Sequence, residues 1–89
     1  MISRTSSDFR RDLAALPTAV RKQARAAYRL FAREPHHRSL RFKKLPPHED
    51  LWSVRINNDY RAIGRLRGDV MLWFFVGSHA DYDKLLQRL

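Results

Sequence analysis

Eighty-nine residues suit one domain and leave no room for two. Eighteen Lys+Arg against nine Asp+Glu give a formal charge of +9, and the absence of cysteine excludes a disulfide scaffold and a thiolate metal site. A hydrophobic fraction of 44%, with two Trp, three Tyr and five Phe, excludes a disordered chain.

A chain this short buries only about 60–65% of its unfolded surface, so a partner is expected to contribute to stability. The charge favours a polyanionic partner: nucleic acid first, an acidic protein second, a membrane surface third. Arginine outnumbers lysine, which suits planar, bidentate phosphate contacts. The competing explanation is a genome whose base composition enriches arginine. The N-terminal segment lacks an apolar stretch of signal-peptide length, and the longest apolar run, Val70 to Val76, is too short to span a bilayer. A cytoplasmic protein without a membrane partner is the expectation.

Met1 to Thr5 is short enough for an edge strand. Ser6 or Ser7 caps a helix whose apolar residues Phe9, Leu13 and Leu16 share one face, and Asp8 falls in its first turn, where a negative charge complements the helix dipole. Pro17 stops this helix and begins the next. From Thr18 to Arg33, Val20, Ala24, Ala27, Tyr28 and Phe31 line one side, while Arg21, Lys22, Arg25, Arg29 and Arg33 form a basic stripe. Such a stripe is ordinarily a solvated face; Arg25 and Arg29 are also candidates for steering RNA or holding an acidic protein.

Pro35 ends the helical hairpin. Ser39 to Leu45 alternates as a strand does, and Pro46-Pro47 breaks it, leaving His48, Glu49 and Asp50 in a loop. Three strands follow, joined at Asn57-Asn58-Asp59 and Arg67-Gly68-Asp69, then a helix from His79 or Ala80 to Leu89. No repeat, linker or low-complexity tract interrupts this order.

Side chains alternate across a strand, so connector length decides which residues meet. Trp52, Val54 and Ile56 make one apolar set, and Tyr60, Ala62, Gly64 and Leu66 another. Only an odd connector keeps both on one side. A three-residue loop therefore places Arg55 opposite Arg61 on the other face. The same logic at the second turn pairs Leu66 with Val70 and puts Met71, Trp73 and Phe75 on the arginine face.

Like charges directly opposed on a sheet are unfavourable by several tenths of a kcal/mol, roughly, unless an anion lies between them. A phosphate would satisfy both guanidinium forks, and Trp73 and Phe75 beside them would stack on bases, with Arg65 a further RNA-binding candidate. The plainer alternatives are ion pairs of the arginines with Glu49, Asp50 or Asp59, and packing of the aromatics under the terminal helix. RNA hydrolysis without metal needs a base at the ribose 2′-hydroxyl, a cation at the phosphate and an acid for the leaving 5′-oxygen. His79 suits proton transfer, since imidazole titrates near neutral pH. Tyr82 supplies a hydroxyl or a stacking ring, and Asp81 or Asp83 orients the imidazole. The alternative for His79 is a capping or merely exposed histidine. His36, His37 and His48 lie in loops with no metal-ligand spacing, so no metal or cofactor is expected.

The order of elements resembles the RelE/ParE superfamily of bacterial type II toxins. The similar pieces are F-x3-L-x2-L-P at Phe9–Pro17, F-K-K-L at Phe42–Leu45, W-S-V-R-I-N-x2-Y-R-A-I at Trp52–Ile63 and G-S-H-A-D-Y-D-K-L at Gly77–Leu85. The resemblance implies one α+β domain over residues 1–89. In it, an N-terminal strand and helical hairpin pack on a mainly antiparallel twisted sheet of four to five strands with a short C-terminal helix. It also implies an mRNA endoribonuclease acting in the ribosomal A site. An acidic antitoxin encoded nearby would neutralise it, and oligomers would form only through that complex. By position, Arg55 and Arg61 match the residues that hold the scissile phosphate, His79 and Tyr82 the proton-transfer and C-terminal tyrosine positions, and Lys43 and Lys44 a patch facing ribosomal RNA. Ser53 departs from the pattern where RelE has a strand lysine, and Tyr82 is offset by a few residues. ParE-type relatives share the fold but poison DNA gyrase, and a non-catalytic basic RNA-binding relative is the third reading.

Overall fold

In the computed structural model, which describes residues 1–89, the chain runs β1 (Ile2–Thr5), α1 (Ser7–Ala14), α2 (Thr18–Arg33) and a 3₁₀ turn (Arg38–Leu40). It continues through β2 (Lys43–Lys44), β3 (Leu51–Arg55), β4 (Tyr60–Arg67), β5 (Val70–Ser78) and α3 (His79–Arg88). The helix starts follow local chemistry. The Ser6 hydroxyl accepts the Phe9 N–H at 3.1 Å, and Pro17, which has no N–H to lose, takes the cap position of α2. Both helices bury the apolar face that the spacing predicts: Phe9 from α1, and Val20, Ala24 and Phe31 from α2. No helix is long and apolar enough to cross a membrane.

The five strands form one sheet in the order β1-β5-β4-β3-β2, parallel between β1 and β5 and antiparallel elsewhere. One face carries the helical hairpin over Phe9, Phe31, Leu40, Val54, Ala62, Met71, Trp73 and Val76. Across the other lies α3, whose Tyr82 is buried with Leu45, Leu51 and Ile63 and flanked by Phe74, Phe75, Leu85 and Leu86. The architecture is the α+β arrangement expected.

Two details differ from expectation. Ser39–Leu45 is not one strand. The His37 Nδ1 accepts the Ser39 N–H at 3.2 Å and closes a 3₁₀ turn; Leu40 plunges into the core, and Arg41 takes a left-handed backbone (φ 45°). Only Lys43 and Lys44 remain to pair with β3.

The second turn has two residues, not three. Arg67 pairs with Val70, and Gly68 supplies the positive φ (59°) that this tight link requires. Leu66 consequently meets Met71, which sends Met71 and Trp73 to the helical-hairpin face instead of the arginine face. A bulge then restores the other phase. Gly64 pairs with Trp73 and Ile63 with Phe75, leaving Phe74 unmatched and returning Phe75 to the face of Arg61. Gly64 makes this possible because a Cβ there would lie 2.6 Å from the Met71 Sδ and 2.8 Å from the Trp73 ring.

Candidate functional site

The turn Asn57–Asn58–Asp59 joins β3 to β4 and organises everything around it. The Asn57 side-chain oxygen accepts the N–H groups of Asp59 (2.8 Å) and Tyr60 (3.0 Å), while the Tyr60 carbonyl accepts those of Ile56 and Asn57. With the connector fixed at three residues, Arg55 stands opposite Arg61, as parity demands. Gly77 of β5 completes the same transverse row, and a side chain there would collide with the Phe75 ring at 2.9 Å.

Both guanidinium groups rest on neutral oxygen. Arg55 donates from Nη2 to the Asn58 side-chain oxygen at 2.7 Å. Arg61 donates from Nη1 to the main-chain carbonyls of Asn57 and of Tyr60, the latter at 3.0 Å. Its Nε and Nη2, the edge that makes side-on bidentate bonds to an anion, have no partner within the chain. None of the three carboxylates that would have neutralised the pair does so. Glu49 meets Lys44 at 3.4 Å, Asp50 meets Arg65 at 2.7 Å and Arg67 at 3.7 Å, and Asp59 forms no ion pair with either arginine. The hydrogen bond from Arg65 holds the Asp50 carboxyl below its ordinary value of 3.8. The charges of Arg65 and Arg67 add to that effect, and desolvation opposes it.

The same turn positions the histidine. The Asp59 carbonyl accepts the His79 N–H at 2.7 Å, and the Ser78 hydroxyl caps α3 by accepting the Asp81 N–H at 3.1 Å. The half-exposed imidazole sets Nδ1 3.2 Å from the Asp83 carboxylate, one helical turn on, leaving Nε2 unpartnered. Asp83, and not Asp81, is therefore its orienting group. Arg55, Arg61 and His79 thus gather at one end of the sheet, each tied to the same three-residue turn.

The other candidates are buried, already paired or on other surfaces. Trp73 is 2% exposed, edge-on to Phe31 at 5.1 Å, with its indole N–H donated to the Ser3 hydroxyl; it offers no ring to a base. The two-residue turn put it there. Tyr82 is a core residue at 6% exposure. Its ring lies under the His79 imidazole, centroids 5.6 Å apart, and its hydroxyl points inward, 3.4 Å from that of the buried Ser53. It therefore supports the histidine and presents no phenol to RNA. Arg65 is committed to Asp50 and lies over the Phe74 ring at 5.8 Å. Lys44 bonds Glu49 and covers Trp52 on the hairpin face, whereas exposed Lys43 shares the arginine face through its pairing with Ser53. Arg25 and Arg29 rim a groove between α1 and α2, floored by Phe9, Leu13, Ala24 and Tyr28, on the opposite side of the sheet from the arginine pair. Sequence reading missed the acceptor roles of Asn57 and Asn58; the signal was available, because Asn-Asn-Asp supplies short side chains that bond nearby backbone.

The ParE-like toxin domain model matches residues 18–84, which cover α2 through most of α3. The chain belongs to the ParE-like family of RelE/ParE toxins. No curated protein sequence matches this ParE-like domain. Among solved structures, it superposes on a chain of the RelB–RelE antitoxin–toxin complex from Methanococcus jannaschii with a TM-score of 0.72 at 17% identity, covering 92% of this chain and 96% of that one. YafQ from Escherichia coli gives 0.72 at 13% identity, covering 90% and 94%. The YoeB/ParE toxin from Agrobacterium tumefaciens gives 0.71 at 16%, covering 89% and 99%. At these identities the likeness establishes the fold.

Proposed function

We propose that this ParE-like domain is the toxin of a type II toxin–antitoxin pair that cuts mRNA on the ribosome, in the cytoplasm and without a metal. The observation that carries the reading is a cross-strand arginine pair left without a carboxylate beside a histidine oriented by one. Two adjacent uncompensated cations make a phosphate site and stabilise charge that develops on it. The ribose 2′-hydroxyl attacks the neighbouring phosphorus, and the P–O5′ bond breaks. A 2′,3′-cyclic phosphate forms as one proton leaves the 2′-oxygen and one reaches the 5′-oxygen. The Arg55 and Arg61 guanidinium groups hold the non-bridging oxygens, and His79 Nε2 moves a proton at one end of the step.

The antitoxin partner is supported by relatives solved with RelB and with DinJ. An acidic chain complements a toxin of charge +9, and the exposed arginines of α2 offer it a surface. Gyrase inhibition is the second reading, favoured by the ParE-like family match.

Inducing the chain alone separates them. Growth arrest with new mRNA 5′ ends inside codons supports cleavage; arrest with gyrase-linked DNA breaks and intact mRNA replaces it with the gyrase reading. Harmless expression with retained RNA affinity leaves a non-catalytic binding protein.

A further inference from the structure

The turn that holds both arginines is itself held from outside the site. The Asn57 amide has two ends. Its oxygen closes the turn on Asp59 and Tyr60, and its Nδ2 donates to the Gln23 side-chain oxygen on α2 at 2.6 Å. The main-chain carbonyl of the same residue accepts Arg61 Nη1. One asparagine therefore links α2, the turn and the guanidinium. On its far side the turn is fastened to α3 through the Asp59 carbonyl and the His79 N–H.

We infer that Gln23 is a positioning residue for Arg61, acting through Asn57; its bearing on catalysis rests on the cleavage proposed above. The geometry gives it that role for three reasons. Gln23 is exposed, bonds across 34 residues of sequence, and lies between Lys22 and Ala24 on a helix whose buried residues are Val20, Ala24 and Phe31. Its amide therefore adds nothing to the core. The bond it accepts also has a direction that the turn cannot supply alone: local Asn57 contacts fix the turn's shape but not its tilt against the hairpin. Finally, Arg61 is anchored only through Nη1, so a tilted turn swings the unpartnered Nε–Nη2 edge away from a phosphate. A displacement near 1 Å at such an edge reduces a rate by about 10²-fold.

The test uses the full chain and two replacements. Gln23→Leu removes the acceptor, and Gln23→Glu keeps an oxygen for Asn57 Nδ2. NMR relaxation of the Arg61 Nε–H group reports its order whether or not the protein cuts RNA, with Arg25 as an exposed reference. In Gln23→Leu the Arg61 order parameter is expected to fall from the rigid range, about 0.8, to below about 0.6, and in Gln23→Glu it stays high. Cleavage of ribosome-bound mRNA falls at least tenfold in kcat for Gln23→Leu with KM within twofold, and Gln23→Glu restores it. The melting temperature of Gln23→Leu stays within about 8 °C of the parent, the scale of one surface hydrogen bond. Unchanged Arg61 order in Gln23→Leu overturns the inference, as does failure of Gln23→Glu to restore order, or a Gln23→Leu chain that no longer folds. A parent chain that leaves mRNA intact overturns the proposed function instead, and the Arg61 order still decides the role of Gln23.

Discussion

Arg55 and Arg61 stand directly opposite each other on β3 and β4, yet each guanidinium hydrogen-bonds only to uncharged oxygen, of the turn between them and of Tyr60 just after it. Opposed like charges of this kind reduce stability by several tenths of a kcal/mol, roughly, with solvent screening much of it. Arg55→Gln is therefore expected to melt at or slightly above the parent temperature, and added phosphate to stabilise the parent more than the variant. Arg61→Ala is expected to lower mRNA cleavage about 10²- to 10³-fold, the scale for losing one donor to developing charge. Arg61→Lys recovers little, because an ammonium keeps the charge without the fork. Full cleavage by Arg61→Ala, with the fold intact, removes the phosphate site from the mechanism.

Neutral acceptors orient a guanidinium without cancelling its charge, which is the importance of an asparagine at position 58. Asn58→Asp keeps an oxygen near Arg55 Nη2, now at 2.7 Å in the parent, but converts the contact into an ion pair. Stability is expected to hold or rise slightly while single-stranded RNA affinity falls. The plot of log affinity against log salt becomes shallower by about 0.7, the loss of one phosphate contact. A salt titration of RNA binding measures this; an unaltered slope means that Arg55 meets no phosphate.

The helices, the sheet and the arginine register were legible because each rests on a short-range rule. Apolar spacing marks α1 and α2, and the parity of a three-residue turn fixes Arg55 against Arg61. The second turn was not legible. Arg67-Gly68-Asp69 reads equally well as a link of two residues or three, and a one-residue difference moves Met71 and Trp73 through the sheet. The bulge at Phe74 then reverses the phase again, and what stabilises it, the closeness of the Trp73 ring to Gly64, is a tertiary contact. Gln23 was invisible for the same reason, since its partner lies 34 residues away.

Asp50 gives the fold a specific acid sensitivity. Its carboxyl titrates lower in the folded chain than in the unfolded one, chiefly through the Arg65 hydrogen bond, so the folded state binds the proton less readily. The resulting stability is fully present above the unfolded value of 3.8 and disappears as pH falls through the lower folded value. The Asp50 carbonyl also accepts the Leu66 N–H at 2.8 Å, so loss of the ion pair loosens the loop after Pro47 without detaching it. Thermal melts between roughly pH 5 and 2 should show a steeper decline for the parent than for Asp50→Asn. Parallel declines would assign the acid sensitivity to other carboxylates.

Two aromatic residues, Trp73 and Tyr82, are predicted to act through packing alone. Trp73 sits against Phe31 with its N–H on Ser3, and truncation to Ala costs about 3–5 kcal/mol, a large part of the stability of any small domain. Trp73→Phe is gentler, and a folded sample should bind RNA as the parent does. Tyr82→Phe removes only a hydroxyl 3.4 Å from Ser53, leaving one buried oxygen without a partner at about 1–3 kcal/mol. Its kcat/KM for mRNA cleavage is expected within twofold of the parent, because the ring and its oxygen are enclosed beneath α3. A folded Tyr82→Phe protein that loses tenfold or more would mean that α3 lifts from the sheet on the ribosome and brings the phenol to the RNA.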